Sequence, residues 1–597
     1  MKEIPKRAEA DPRYKWKTED LFATDGDWER GFAAVPADMA RFAEYAGSLG
    51  ESAERLVSAL RLSDEVGERF TRLYVYAHLR YYEDTGNQRY KAMADRADAM
   101  AAKLAAAESF LSPEIIALGK DTIARFTRES ADLTVYAHLL DDLLRRSEHV
   151  LDAPREALLA RTADLARTPE AVFDILHEAD TKFPEIIGED GSLARLTLGN
   201  YTSFMESRDR DVRRRAYEAM YDTIGRFRNT YAGLYQASVT GDNFYAETRG
   251  YASALEMALS GDNVPDEVYR NLIAAAGDFL PALHKYMAIR KKALGVDKLE
   301  MYDMYVPIVP EADARVSYDE AKRLFLASLE PLGADYAEKT RRGMDGGWID
   351  VYENENKRSG AFQWGAYGCH PFVSLNYEGR VKDMFTLAHE MGHAMHSLLT
   401  WGRQPFTYAD YPIFLAEVAS TVNEALLIER LLADTSDKAK RAYFINYYLE
   451  EFRGTLFRQT QFAEFELLAH EAAQNDKPLT ADVLSEMYAG LNRKYYGGGA
   501  ETDARIADEW ARIPHFYNAY YVYKYATGYS AAIAIARALL TEGESARARY
   551  LEFLAGGSSD YPIAQLARAG VDMSSPEPIR AALSVFAGLV DEMETLI

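Results

Sequence analysis

The sequence contains a single cysteine, no long apolar run and no excess of positive charge, and each shortage excludes a class of protein. Because Cys369 has no second cysteine to pair with, an intramolecular disulfide framework is excluded and a reducing compartment is favoured. The longest apolar candidate, YSAAIAIARALL, is shorter than the ~18 residues of a membrane span, and the N-terminal stretch MKEIPKRAEADPRYKW is polar throughout. We therefore expect a cytoplasmic protein that does not enter a membrane.

The net charge of the chain excludes further classes of binding partner. The formal net charge is −24, and the acidic residues are spread along the chain and not collected in a tail. Such a surface is repelled by the phosphate backbone of nucleic acids and by anionic membranes. The chain is 48% hydrophobic and 27% charged, which is typical of folded proteins and not of disordered ones. We expect a folded protein that does not bind nucleic acid.

Most of the sequence has the hydrophobic periodicity of α-helices and is rich in Ala, Leu, Glu and Arg. Within the N-terminal region the pattern is interrupted at Ser48–Gly50 and at Thr85–Asn87. At 597 residues the chain is too long for one ordinary core, and the turn-rich stretch 183–204 is the best candidate for a junction. We therefore predict a mainly α-helical fold with an N-terminal helical domain over residues 1–200 and a second domain over residues 201–597.

The helical pattern changes between residues 341 and 377. Glycine becomes frequent there, aromatic residues alternate with valine, and residues 361–367 and 372–377 have the pattern of two short strands. The sequence therefore predicts a small sheet, inserted into a helical protein just before a cluster of histidines.

That cluster is LAHEMGHAMH, residues 387–396. On a helix, His389 and His393 have Cβ atoms roughly 5–6 Å apart, so both imidazoles can reach one zinc ion at about 2.0–2.1 Å. Glu390 lies about 100° around the helix and can face a water on the same metal. His396 is about 10 Å from His389 along the axis, too far to share the ion, so we expect it to support the site or to pack.

A catalytic zinc needs a third protein ligand, and the next helical segment, residues 411–432, offers one. Its body is apolar, yet Glu417, Ser420, Thr421 and Glu424 form one polar stripe. Because a buried carboxylate is costly unless it is paired or binds metal, we predict Glu417 as the third ligand. Glu424, two turns further, could orient an imidazole N–H.

Four stretches resemble one family, the thimet-oligopeptidase-like zinc metallopeptidases, and within it the oligoendopeptidase F branch. They are YKWKTEDLFATDGDWE (14–29), HPFVSLNYEGRVKDMFTLAHEMGHAMHS (370–397), FLAEVASTVNEALL (414–427) and IPHFYNAYYVYKYATGYSAA (513–532). The resemblance implies that His389, His393 and Glu417 bind one Zn²⁺ and that Glu390 is the general base. It also implies a large two-lobed helical fold with a small sheet beside the active site and a deep channel that admits short peptides.

The same resemblance points to a second set of residues near position 515. It implies that His515, Tyr520 and Tyr523 face the substrate carbonyl, where their N–H and O–H groups would stabilise the oxyanion. The roles of these tyrosines, with Tyr517 as a further candidate, remain open, because a packed aromatic stripe explains the tyrosine-rich pattern about as well.

The function that the sequence predicts is zinc-dependent endopeptidase activity on internal bonds of short oligopeptides. Either predicted strand, in GAFQWGAYG or in HPFVSLNY, could hold an extended peptide through main-chain hydrogen bonds if it lies at a sheet edge. Two alternatives remain. A helical zinc carboxypeptidase or dipeptidase could share the motif, and a peptide-binding protein without turnover could share the fold.

Overall fold

The protein's structure is a computed structural model that describes residues 4–309 and 315–597. It is mainly α-helical, as predicted. The helices are α1 (Asp25–Ala40), α2 (Ala53–Glu83), α3 (Gln88–Glu108), α4 (Leu111–Glu129), α5 (Ala137–Arg146), α6 (Ala153–Asp174), α7 (Leu198–Met205), α8 (Arg210–Gly225), α9 (Arg228–Thr248), α10 (Ala254–Ser260), α11 (Asp266–Asp278), α12 (Leu280–Leu294), α13 (Tyr318–Ser328), α14 (Ala334–Asp345), α15 (Val381–Arg403), α16 (Ile413–Asp434), α17 (Lys438–Glu451), α18 (Arg458–Gln474), α19 (Ala481–Tyr496), α20 (Tyr523–Glu542), α21 (Glu544–Leu554), α22 (Pro562–Arg568) and α23 (Glu577–Leu596). None of these helices is both long and apolar enough to span a membrane.

The chain forms two compact units, and each is assembled from three separate stretches. The first unit comprises Met1–Glu148, Ala314–Arg430 and Ile535–Gly570, and the second comprises His149–Asp313, Leu431–Ala534 and Val571–Ile597. The stretch 183–204, predicted as a junction, contains a short antiparallel hairpin of β1 (Glu185–Ile187) and β2 (Leu193–Arg195). A domain boundary near residue 200 and a channel for peptides stay predictions.

The two helix interruptions predicted near the N-terminus are confirmed, and side-chain caps explain them. The hydroxyl of Ser52 accepts the backbone N–H of Arg55, so α2 begins directly after it. Likewise Asn87 accepts the N–H groups of Arg89 and Tyr90 and caps α3. Such side chains satisfy backbone donors that a helix leaves free at its first turn.

The predicted sheet lies in the first unit and consists of β3 (Ile349–Asp350), β4 (Phe362–Trp364) and β5 (Phe372–Ser374). Strand β5 is central, with β3 parallel on one side and β4 antiparallel on the other. The N-terminal segment covers the outer side of β3, because Val351 donates its N–H to the carbonyl of Tyr14 and Lys17 donates to Gly347. Among the described residues no strand pairs with the outer side of β4, which is therefore an open edge.

Helix α15, which carries the histidine cluster, starts at a well-defined cap. The carboxylate of Asp383 accepts the backbone N–H groups of Glu378 and Arg380, at 2.9 Å each. Its apolar face is buried, and it packs against β4 and β5. At Gly392 it also meets the start of α16, where a Cβ atom would lie only 2.6 Å from the Cα of Ser420. This close approach places the two predicted ligand helices side by side.

Candidate metal centre

The structure brings the three predicted metal ligands together in the first unit. The Nε2 atom of His389 lies 3.3 Å from the Oε2 atom of Glu417, and that of His393 lies 3.6 Å from the same oxygen. The two Nε2 atoms are 3.2 Å apart, with the rings nearly perpendicular at 81°. Among the described residues this is the one cluster of His, Cys, Asp and Glu whose donor atoms are close enough to hold a metal ion together.

These separations fit a single tetrahedral ion. Ligand bonds of about 2.0–2.1 Å at tetrahedral angles place neighbouring donor atoms roughly 3.3–3.4 Å apart. The three observed separations, 3.2, 3.3 and 3.6 Å, lie close to this value. Two imidazole nitrogens and one carboxylate oxygen also leave the fourth position of a tetrahedron free, as in catalytic zinc sites.

Glu424 contacts His389 on the side of the ring opposite the candidate metal-binding nitrogen. The Nδ1–H group of His389 donates a short hydrogen bond to the Oε1 atom of Glu424. This bond fixes the tautomer in which the Nε2 lone pair is available to a metal, and it fixes the ring plane as well. Glu424, predicted to orient an imidazole, therefore lies next to the imidazole of His389.

Glu390 lies beside the cluster without belonging to it, and its side chain is buried. Its pKa is raised to about 7, first by burial and then by the negative charges of Glu417 and Glu424, against the opposing charge of His389. A carboxylate whose pKa lies near neutral pH can both accept and return a proton, which is the requirement for a general base.

His396 stands apart from the metal ligands, as the axial rise of the helix predicted. It is 1% exposed, and its ring stacks on Tyr411 with the centroids 3.7 Å apart and the planes 9° apart. A second ring, Phe553, lies 5.6 Å away. Burial lowers the pKa of His396 to about 3, so the imidazole is neutral and packs as an aromatic ring.

The remaining predicted site residues lie in the second unit, close together along the chain. His515 is on a short 3₁₀ turn, Pro514–Tyr517, and burial lowers its pKa. The rings nearest to it are those of Tyr521 and Tyr525, with centroids 6.2 and 6.1 Å away. The sequence had not singled out these two tyrosines, because every position in a tyrosine-rich stretch looks equivalent until its backbone path is known.

Two of the three predicted tyrosines, Tyr520 and Tyr523, are buried in the second unit, and Tyr517 is partly exposed. Tyr517 packs on Phe173 with the ring centroids 4.5 Å apart. Tyr520 and Tyr523 are 3% and 0% exposed. Tyr520 also has a positive φ of 57°, and its N–H donates to the buried carboxyl of Glu466 at 3.0 Å. Their roles in catalysis stay predictions.

The open edge of the sheet faces the candidate metal centre. In β5, the N–H group of Val373 donates to Trp348 on the β3 side, so its neighbours Phe372 and Ser374 direct their main-chain groups toward β4. The main-chain groups of their partners Trp364 and Phe362 therefore point toward β5 and pair with it. The N–H and C=O groups of Gln363 then point to the open side. A backbone interaction with Gln363 also lowers the pKa of Glu390, which places this edge beside the general-base candidate.

A cavity of about 720 Å³ joins these parts within the first unit. Its lining includes His389, Glu390, His393, Glu417 and residues 361–365 of the open edge. Much of the remaining wall comes from the end of α15 and the connection to α16, where residues 401–411, WGRQPFTYADY, contain four aromatic residues within eleven. No functional role was predicted for residues 401–411 from the sequence, although their high aromatic content could have indicated one.

Comparison with known proteins agrees with this geometry. The sequence model of peptidase family M3 matches residues 203–585, and that of oligopeptidase F matches residues 114–183. The chain belongs to peptidase family M3. The family resemblance identified from the four motifs is thereby confirmed.

Full-length relatives of this family M3 chain include two named oligopeptidases. It is 46% identical over 595 residues to oligopeptidase PepF of Bacillus subtilis, covering 100% of this chain and 89% of the relative. It is 40% identical to group B oligopeptidase PepB of Streptococcus agalactiae, with coverage of 99% and 98%. The chain is accordingly a metalloendopeptidase that acts on oligopeptides.

Solved structures support the same fold. The crystal structure of oligoendopeptidase-F from Enterococcus faecium matches with a TM-score of 0.75 at 37% identity, covering 96% of this chain and 99% of that chain. A crystal structure from Chlamydophila abortus matches with a TM-score of 0.92 at 33% identity, covering 100% of both chains.

Proposed function

We propose that this family M3 enzyme is a zinc-dependent endopeptidase that hydrolyses internal bonds of short oligopeptides, with Glu390 as the general base. The observation that carries the proposal is the spacing of the donor atoms of His389, His393 and Glu417, between 3.2 and 3.6 Å, which suits one tetrahedral zinc. When bound, zinc supplies a Lewis acid that acidifies a water and polarises the substrate carbonyl.

The protein's own part in the reaction is proton transfer and positioning. Glu390, buried beside the candidate ligands, takes the proton of the attacking water and then returns it to the nitrogen of the leaving amine. Glu424 keeps His389 in one tautomer and one orientation throughout.

Strand β4 holds the peptide in this proposal. Of the two candidate strands, the one in HPFVSLNY is the central strand β5 and has no free edge, whereas the one in GAFQWGAYG is β4 at the open edge. An extended peptide that adds to β4 would donate a main-chain N–H to the outward C=O group of Gln363, whose own N–H interacts with Glu390. Main-chain recognition of this kind places a peptide bond at the metal without regard to its side chains.

Oxyanion stabilisation is assigned to residues of the tyrosine-rich motif. We assign this role to His515 together with Tyr523 or Tyr520, on the basis of the family motif in residues 513–532. Since the single cysteine is compatible with a reducing compartment, we also assign the enzyme to the cytoplasm.

The decisive experiment compares Glu390→Gln with Glu417→Gln. We expect Glu390→Gln to retain one zinc per chain and to lose activity on internally quenched peptides by about 10²–10⁴-fold, because only proton transfer is removed. Glu417→Gln removes a ligand, so it is expected to lose zinc as well as activity. Peptides with both termini blocked serve as substrates, because only an endopeptidase cleaves them.

Two results would contradict the proposal. One is full activity of Glu390→Gln with zinc bound, and the other is equal zinc content in Glu417→Gln and the wild type. Zinc content is measured by atomic emission after dialysis, so ligand and base are separated by a quantity other than turnover.

A further inference from the structure

The wall of the cavity beside the metal centre carries a group of aromatic side chains to which the proposed chemistry gives no role. They are Tyr367, Trp401, Phe406 and Tyr411, called here the aromatic pocket. All four are partly exposed, although they line a cavity. Aromatic rings left in contact with water in a concave site mark a place where an apolar group binds.

The rings of the aromatic pocket are fixed by hydrogen bonds at their polar atoms. The indole N–H of Trp401 donates to the carbonyl of Ala409 at 3.0 Å, and the hydroxyl of Tyr367 donates to the carbonyl of Gln404 at 2.8 Å. These bonds satisfy the polar atoms of both rings, so neither ring needs a polar partner from a ligand.

Tyr411 and Phe406 are fixed by ring contacts as well. Tyr411 stacks on the buried His396, and its hydroxyl is 2.9 Å from that of Ser397. Phe406 meets Tyr367 edge to face, with centroids 5.8 Å apart and an interplanar angle of 85°. A pocket whose rings are already ordered loses little conformational entropy when it binds a side chain.

Two glycines let the rings lie directly against the backbone. A Cβ atom at Gly365, just after β4, would lie 2.5 Å from the Cη2 atom of Trp401. A Cβ atom at Gly67, in α2, would lie 2.7 Å from the Cε1 atom of Phe406. Both distances are shorter than real contacts allow, so the shape of the pocket depends on the absence of these two side chains.

The pocket contains little charge. Apart from the residues of the metal centre, the lining of this cavity includes one carboxylate, that of Asp410. Asp410 is exposed, and its Oδ1 atom accepts the N–H of Tyr411 at 2.9 Å. The pocket therefore has no buried carboxylate that would neutralise a lysine or arginine side chain, and a small side chain would leave the rings in water.

We propose that the aromatic pocket is a substrate subsite that binds a large aromatic side chain, such as phenylalanine, from a residue close to the scissile bond. The proposal rests on the proposed function, because it assumes that a peptide lies along β4 with one bond at the metal. Since His393 and the aromatic pocket line the same cavity, the bound side chain belongs to a residue within a few positions of the cleaved bond.

The test uses short quenched peptides in which a single phenylalanine is moved through an alanine and glutamine host, with cleavage sites mapped by mass spectrometry. We expect the wild type to cleave at a fixed distance from the phenylalanine, with kcat/KM at least tenfold above the host peptide without it. Hydrophobic pockets discriminate by about 10- to 200-fold. The ratio of kcat/KM for the phenylalanine peptide to kcat/KM for the host peptide is expected to fall by about tenfold or more in Phe406→Ala and Trp401→Ala.

Phe244→Ala is the matched control, because it removes the same ring from an exposed position, 49% accessible, in the second unit. Its ratio is expected to equal that of the wild type. Zinc content and unfolding temperature confirm that each variant is folded.

The inference is overturned if the wild type cleaves the host and phenylalanine peptides equally, or if Phe406→Ala and Phe244→Ala give the same ratio. Absence of any cleavage by the wild type overturns the proposed function together with this inference.

Discussion

His389 lies between two carboxylates of α16, with Glu417 near its Nε2 atom and Glu424 at its Nδ1 atom. A metal on its Nε2 atom withdraws electron density, and the carboxylate at Nδ1 compensates for this loss. We therefore expect Glu424 to contribute to metal affinity without touching the ion, and this role can be tested separately from catalysis.

We expect Glu424→Ala to weaken zinc binding by about 10- to 100-fold, because the imidazole loses the acceptor that fixes its tautomer. Glu424→Gln keeps an oxygen acceptor and is expected to lose less. Competition with a chelating dye measures both affinities. Glu378→Ala, which removes an exposed carboxylate paired with Arg380, is the control and should bind zinc as the wild type does. Equal affinities for Glu424→Ala and this control would contradict the assignment.

Tyr520 is the other residue whose geometry calls for an explanation. Its φ of 57° is unfavourable for a bulky side chain, and its buried N–H has Glu466 as acceptor. Glu466 is 0% exposed, and burial raises its pKa well above the usual range, which favours the neutral carboxyl. A neutral acceptor in the interior can be replaced by an amide.

We therefore expect Glu466→Gln to remain within about 1 kcal/mol of the wild type, whereas Glu466→Leu loses about 1–3 kcal/mol because the N–H of Tyr520 becomes unsatisfied. Urea denaturation followed by circular dichroism compares the two variants. If they are equally stable, the hydrogen bond does not hold the conformation of Tyr520.

At the scale of elements, the contact between α15 and α16 decides whether the ligands can meet. The sequence predicted both ligand helices correctly, because a helix fixes the relation between residues four and seven apart. It could not predict how closely the helices approach. That distance depends on Gly392, whose missing side chain makes room for the backbone of Ser420.

Gly392→Ala is expected to separate the two helices and to weaken zinc binding at least tenfold, with a loss of about 1–3 kcal/mol in stability from overpacking. Gly402→Ala is the matched control. Gly402 lies in the same helix, is exposed, and has no atom within 4 Å of an added Cβ, so the change should stabilise by about 0.5–1 kcal/mol. Isothermal titration with zinc measures the affinity, and a Gly392→Ala variant with unchanged affinity would show that the close contact is dispensable.

The sheet shows a second limit of prediction from sequence. Strands β4 and β5 were expected, but β3 has only two residues and carries no recognisable pattern. It is held by non-local contacts, because Asp350 is buried between Arg7 of the N-terminal segment and Lys357. Contacts across such sequence distances leave no periodic signal.

Asp350→Asn is expected to destabilise the enzyme by about 3–5 kcal/mol, because it leaves the buried ammonium of Lys357 without its partner. Burial raises the pKa of Asp350, but Lys357 and Arg7 outweigh this effect and lower it below the usual range. A lowered pKa means that the contribution is present above about pH 4 and is lost as the pH falls through the folded value. The stability difference between wild type and variant, measured in urea, should therefore shrink in acid. A constant difference would contradict this explanation.

At the scale of the whole molecule, helical periodicity was sufficient to predict the fold class. It was not sufficient to predict the composition of the two units, because each unit combines three stretches that are not continuous in the sequence. Periodicity identifies the apolar face of a helix but not the helix that covers it. The aromatic pocket shows the same limit, since Gly67 and Phe406 are distant in sequence and adjacent only after folding.

Zinc bound as proposed would also stabilise the whole folded chain, because the three candidate ligands form a site only in the folded state. Zinc at 100 times its dissociation constant contributes about 2.7 kcal/mol, and the contribution grows with the logarithm of concentration. We expect the unfolding temperature, measured by calorimetry, to rise with zinc for the wild type and to respond little in Glu417→Gln. Glu390→Gln should keep the full shift, because Glu390 lies outside the donor cluster. If Glu390→Gln lost the shift as Glu417→Gln does, Glu390 would have to be a ligand, and the assignment of the general base would fail.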